Sequence, residues 1–263
     1  MLEILSHKPT GTHQPHKLLF VHGICVGGWI WDKHVLPYFA AAGYECHAVS
    51  LRGHGKSSGH ETLATHSLSD YTEDVATAAA TIGGPLIVIG HSLGGAVVQN
   101  WLRSGGVAAG AALLASVPPW GLASSAVRMG FTNPVLFQEL AKMVTFGVEA
   151  INPDIIRTGL FSEDFPATDY AEFASLVQNE SRVVSTELQG LRTFAPMPWQ
   201  TTPLLVLGGG TDQLIPPDEV WKTAAYYGTQ SVIIENLAHT LMLDTRWESA
   251  ASAVKNWLTT LKT

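Results

Sequence analysis

Six consecutive residues carry the first chemical signal: Gly90-His91-Ser92-Leu93-Gly94-Gly95, a serine with glycines two positions before and two after it. The pentapeptide alone is a weak signal, and its surroundings give it meaning. An apolar run over Leu86–Ile89 precedes it and a helical pattern over Ala96–Arg103 follows, which predicts strand, sharp turn and helix. In such an elbow the serine sits on a strained turn with its hydroxyl exposed. The flanking glycines avoid side-chain clashes, and the amino end of the helix faces any negative charge that develops. The plainer alternative is a loop serine capping a helix.

A nucleophilic hydroxyl needs a base, and the base needs an orienting acid. Asp212 follows the predicted strand ending at Leu207, and His239 follows the one ending at Glu235. Both therefore fall just past the carboxyl end of a strand, on the side where Ser92 emerges. His239 would take the Ser92 proton and Asp212 would fix its tautomer. Asp218, at a helix start, and Asp244, beyond the histidine, are rival acids. Acyl transfer also needs two backbone donors for an oxyanion. The Leu93 amide directly follows the nucleophile, and the Ile24 amide lies in the glycine-rich stretch His22–Trp29. His22 is expected to hold that loop by hydrogen bonds. Cys25, Trp29, Trp120 and Leu214 are candidate pocket walls.

The elements that must position these residues form a repeating pattern. Short apolar runs at Lys17–Val21, Tyr44–Leu51, Pro85–Gly90, Ala108–Ser116, Pro203–Leu207 and Gln230–Glu235 lack polar alternation, as strands covered on both faces do. Helical patterns at Trp31–Ala42, Leu68–Ile82, Leu93–Arg103, Asp218–Tyr227 and Arg246–Leu261 alternate with them, which predicts an α/β fold with a mostly parallel sheet flanked by helices. From Pro118 to Gln200 the rhythm breaks into helix-like pieces at Pro134–Thr145, Pro153–Leu160, Thr168–Asn179 and Val183–Leu191. We expect a core of residues 1–117 and 201–263, with 118–200 inserted as a helical cap over the carboxyl edge of the sheet, where open α/β sheets bind ligands.

Taken together, His22-Gly23 followed by Trp31-Asp32, the turn Leu51-Arg52-Gly53-His54-Gly55-Lys56-Ser57, the Ser92 elbow, Asp212 and His239 resemble the α/β-hydrolase superfamily. The chain is most similar to small capped serine esterases and lysophospholipase-like hydrolases. Around His22–Trp31 it is also similar to plant methylesterases and hydroxynitrile lyases. The resemblance implies eight strands, a cap after the sixth and no cofactor. Little more than Leu2–Ser6 is left for a strand before Lys17, so the front of the sheet is expected to be shortened. Relatives that place the acid after the sixth strand would need a carboxylate near Ser116-Val117-Pro118; its absence favours Asp212. Ser92 stands where dehalogenases and epoxide hydrolases use aspartate, which disfavours alkyl-enzyme chemistry. Lactonase, thioesterase, carbon–carbon hydrolase or lyase, and non-catalytic receptor readings stay open on the same fold. A lyase would want a basic residue in the pocket, and no lysine lies near the predicted loops except Lys33 and Lys56.

Composition narrows the partners. The 263 residues carry a net charge of −7, with 14% charged and 46% hydrophobic residues. That excludes disorder, and without basic runs it disfavours nucleic acid and anionic membranes. The expected partner is a small-molecule ester. Met129, Phe131, Phe137, Met143 and Phe146 in the inserted segment point to an apolar or aromatic one. Two cysteines, Cys25 and Cys46, make no disulfide framework. His7, His13 and His16 read as a solvated loop without metal. Trp101, Trp221, Trp247 and Trp257 read as core. Polar residues among the first fifteen and the absence of a long apolar run give the expectation of a cytoplasmic protein.

Overall fold

The computed structural model describes residues 1–190, 195–197 and 202–261. The chain opens with β1 (Glu3–His7) and β2 (Lys17–Val21). Here His7 closes a strand and meets Asp32 at 2.8 Å, and His16 is buried, so these two histidines are not part of a solvated loop. Next come α1 (Trp29–Asp32) and α2 (Val35–Ala41), where the sequence predicts one helix over Trp31–Ala42. Pro37 explains the break. Its ring would collide with the Lys33 carbonyl in a continuous helix, while its missing N–H is harmless in the first turn of α2.

The chain continues through β3 (Cys46–Ser50), α3 (Leu68–Ile82), β4 (Leu86–His91), α4 (Leu93–Arg103) and β5 (Gly110–Leu114). A reciprocal cap fixes the start of α3: the Ser67 hydroxyl accepts the Asp70 amide, and the Asp70 carboxylate accepts the Ser67 amide. Among the described residues five α-helices then follow: α5 (Ala123–Thr132), α6 (Pro134–Phe146), α7 (Pro153–Leu160), α8 (Ala167–Leu176) and α9 (Arg182–Gln189). Asn133, Asn152 and Ser181 cap α6, α7 and α9, and proline opens the first two of these. Sequence periodicity misses α5, whose Ser124, Ser125, Gly130 and Thr132 are weak helix formers and which buries only Ser125 and Met129. The expected end of this segment, Gln200, and the expected helix end Leu191 lie outside the described residues. The chain closes with β6 (Leu204–Gly209), α10 (Pro217–Tyr226), β7 (Ser231–Ile234) and α11 (Trp247–Leu258).

The sheet has seven strands among the described residues, ordered β1-β3-β2-β4-β5-β6-β7. All neighbours run parallel except β1, which is antiparallel to β3. Among the described residues that is one strand fewer than the resemblance implies, the strand that would precede β1 in the family's order. The helical excursion consequently leaves after β5, the sixth position of an eight-stranded scheme. Successive residues of the central strands point to opposite faces. Leu18, Phe20, Ile87 and Ile89 pack with Trp31, Phe39 and Val254. Leu19, Val21, Val88 and Leu113 pack with Tyr71, Val97 and Val220 on the other face. Both faces are dry, which is why these strands read as unbroken apolar runs. Trp101 is buried, but Trp221 is 56% exposed, because the Val220, Thr223 and Ala224 stripe of α10 faces the sheet and Trp221 lies off it.

No helix among the described residues is long and apolar enough to cross a membrane.

Candidate active site

Ser92 is the single residue between β4 and α4, at φ 52° and ψ −117°. A side-chain-bearing residue held at such angles costs about 1–3 kcal/mol, so the surroundings must enforce it. They do so by close approach. A Cβ on Gly90 would strike the Gly94 carbonyl, and one on Gly94 would strike the carbonyls of Val21 and His22. The Ser92 carbonyl accepts from Gly95 N at 3.0 Å and Val117 N at 3.1 Å, tying the elbow to the end of β5.

Asp212 and His239 arrive from the ends of β6 and β7. Asp212 Oδ2 meets His239 Nδ1 at 2.8 Å, and His239 Nε2 meets Ser92 Oγ at 3.1 Å. The other Asp212 oxygen accepts the amides of Leu214 at 2.8 Å and Ile215 at 2.9 Å. A carboxylate that only accepts requires the proton on Nδ1, which leaves the Nε2 lone pair for the serine hydroxyl. All three residues are buried. The rival acids are committed elsewhere: Asp218 pairs with Arg128 and Lys222, and Asp244 accepts the amide and hydroxyl of Ser162.

Two backbone amides border the same space. Leu93 is the first residue of α4, and Ile24 lies in the loop after β2; neither amide donates to a described residue. His22 anchors this loop. Its Nδ1–H donates to Gly23 O at 2.8 Å, and its Nε2 accepts the Leu51 amide at 3.0 Å. Burial and the nearby His54 push the His22 pKa down to about 3, so it stays neutral and keeps both bonds.

Ser92 and His239 stand where two apolar lobes meet. One has a volume of about 410 Å³ and is walled by Cys25, Ile156, Tyr170 and Phe173; the other has about 380 Å³ and is walled by Val117, Leu122, Met129 and Phe137. Ile24, Leu140, Met143 and Leu214 border both. Of the four wall residues expected from sequence, the structure thus brings Cys25 and Leu214 to the cavity. Trp29 and Trp120 are not there. Trp29 packs against Phe173, with ring centroids 6.0 Å apart, and opens on an outer cleft with Asp32 and Lys33. Trp120 turns away and donates from Nε1 to Glu219 at 3.0 Å. Phe131 and Phe146 are also outside the cavity, being 86% and 72% exposed.

The sequence reading missed a buried ion pair beside the Ile24 loop, His54 Nε2 to Glu180 Oε2 at 3.1 Å. No local pattern joins residues 126 positions apart, although His54 stood in a singled-out turn. Among the described residues, no group of three His, Cys, Asp or Glu side chains is arranged to hold a metal ion.

Comparison with known proteins agrees with this architecture. A stretch of 85 residues is 38% identical to a pyrethroid hydrolase from Sphingobium wenxiniae, covering 32% of this chain and only 29% of that enzyme. Over 231 residues the chain is 24% identical to Methylesterase 4 of Arabidopsis thaliana, covering 78% of this chain and 82% of that protein. A thermophilic esterase structure from Thermogutta terrifontis superposes with a TM-score of 0.77 at 19% identity, over 100% of this chain and 94% of that one, a likeness of fold alone. The sequence pattern of the Alpha/beta hydrolase family matches residues 18–253, and the chain belongs to that family.

Proposed function

We propose that the protein is a serine hydrolase that cleaves a neutral carboxylic ester with an apolar or aromatic moiety. The observation that carries this reading is the continuous line Asp212–His239–Ser92, at 2.8 Å and 3.1 Å, placed at the junction of two apolar lobes. The names of the pyrethroid hydrolase and methylesterase relatives support ester chemistry.

The geometry supports the following course of reaction. His239 Nε2 accepts the Ser92 proton as Oγ attacks the ester carbonyl, and the oxyanion forms beside the Ile24 and Leu93 amides. Asp212 stabilises the imidazolium. Collapse of the tetrahedral adduct breaks the bond to the alkoxy oxygen, which leaves with the proton from His239. A water then repeats the sequence on the acyl-enzyme, giving the acid and restoring Ser92.

The cavity walls argue for a neutral substrate. Among the described residues neither lobe is bordered by lysine or arginine, and Glu149 is the one acidic side chain on their walls. Lys33 is held by Glu172 at 2.8 Å and Asp169 at 3.5 Å, and Lys56 is exposed; neither reaches the cavity. That weakens a lyase reading. The helical segment between β5 and β6 supplies much of both lobes, and we assign it the choice of substrate. A p-nitrophenyl ester series of increasing acyl length tests the assignment: turnover peaking at an apolar medium-length or aromatic acyl group is expected, and no turnover of any member contradicts it.

A further inference from the structure

The turn between α8 and α9 is stitched to two loops at the sheet edge. Gln178 N–H donates to Cys25 O at 2.9 Å, while its side chain accepts from Gly55 N at 3.1 Å and donates to Gly53 O at 2.6 Å. Glu180 follows, with its side chain only 4% exposed. Oε2 accepts the Cys25 amide at 3.2 Å and His54 Nε2–H at 3.1 Å. Oε1 accepts the Tyr71 hydroxyl at 2.6 Å and the Ser181 amide at 2.7 Å.

The peptide groups on both sides of Cys25 are therefore gripped from the helical segment, its N–H by Glu180 and its C=O by Gln178. Cys25 needs such a grip because its φ is 64°, a left-handed conformation that its side chain disfavours. Its N–H belongs to the peptide that follows Ile24. Released, Cys25 would relax toward ordinary angles and swing that peptide.

We propose that Glu180 is a positioning residue that holds the Cys25 peptide, and with it the Ile24 amide, in the orientation that receives the oxyanion. The assignment rests on the hydrolase reading above and adds a role for a residue outside the catalytic line. The ionic state of the cluster fits. His54 donates from Nδ1 to Arg52 O at 3.1 Å and from Nε2 to Glu180, so it is an imidazolium. Burial opposes that charge, but the Glu180 carboxylate outweighs it, and Asp74 adds to the effect. The other titratable neighbours are His22, neutral and 5.1 Å away between ring centroids, the Tyr71 hydroxyl, and the Cys25 thiol, which burial pushes up. One carboxylate thus serves one imidazolium and the loop amide.

The test compares the rate of fluorophosphonate labelling and the affinity of an aryl trifluoromethyl ketone, which adds to the serine and places its oxygen in the oxyanion site. Deleting one oxyanion donor typically costs about 100- to 1000-fold, so a displaced donor should cost less. Glu180→Ala is expected to lower both by about 10- to 30-fold, with KM for a neutral ester changed less than about twofold. Glu180→Gln retains an acceptor for the Cys25 amide and should recover part of the loss. Glu187→Ala is the control. It also severs a bond from the helical segment to the core, that of Glu187 Oε2 to the Leu68 amide at 2.7 Å, and should label at the wild-type rate. Wild-type labelling in Glu180→Ala, or an equal loss in Glu187→Ala, overturns the proposal. If Glu180→Ala does not fold, Glu180→Gln decides, with about a threefold loss expected and a wild-type rate contradicting. Failure of the wild type to label contradicts the hydrolase reading itself, and the positioning role falls with it.

Discussion

His91 Nε2–H donates to the backbone carbonyl of His239 at 3.0 Å, so the residue just before Ser92 holds the backbone of His239. The two rings lie 4.8 Å apart between centroids. Burial and the facing His239 push the His91 pKa well below the usual histidine value. A neutral His91 adds no repulsion when His239 becomes an imidazolium. His91→Asn should lower kcat by about tenfold with KM little changed.

The same residue makes a pH prediction. His91 is depressed in the folded state, so below about pH 6.5 the unfolded chain binds a proton that the folded chain does not. Stability should therefore fall as the pH drops through 6.5. Urea midpoints measured between pH 7 and pH 5 should decline less steeply in His91→Asn than in the wild type. Parallel declines would contradict the neutral buried state.

Asp212→Asn should turn the tautomer around. An amide NH2 facing Nδ1 favours the proton on Nε2, which can then no longer accept from Ser92. By analogy with the corresponding change in serine proteases, kcat should drop about 10,000-fold. Asp218→Asn breaks only exposed ion pairs and should leave ester turnover within about twofold of wild type.

Two glycines should respond oppositely to alanine. At Gly94 the new Cβ meets the backbone carbonyls of Val21 and His22, which cannot move without opening the elbow. A loss of at least about 2 kcal/mol in urea unfolding is expected. At Gly130, inside α5, nothing lies within 4 Å of the Cβ, and alanine should stabilise by about 0.5–1 kcal/mol.

Glu149 borders the larger lobe and is exposed, so its field on a bound substrate is screened by salt. Glu149→Gln should raise kcat/KM for esters bearing a free carboxylate by about two- to fivefold at low ionic strength. Neutral esters should be unaffected. An equal effect on both would remove the electrostatic account of substrate charge.

The juxtaposition of Ser92, Asp212 and His239 was legible because each sits at a strand end, and strand ends are what apolar runs reveal best. Ser92, Asp212 and His239 follow β4, β6 and β7, and the parallel sheet brings all three to one edge. The pocket walls were less legible. Trp29 is near Ile24 in sequence, yet α1 turns it to the far side of Phe173, a residue 144 positions later. Glu180 had no signal, since its partners Cys25, His54 and Tyr71 are fixed only by how the helical segment lies on the core. Many of the side chains that line the two lobes come from that segment, where the periodicity of short helices is weakest.

The central claim is that Ser92 is the nucleophile activated by His239. Intact-mass spectrometry after exposure to a fluorophosphonate tests it most directly. The account predicts one adduct on the wild type, none on Ser92→Ala, and labelling slowed by several orders of magnitude in His239→Ala. An adduct on Ser92→Ala at the wild-type rate would contradict it.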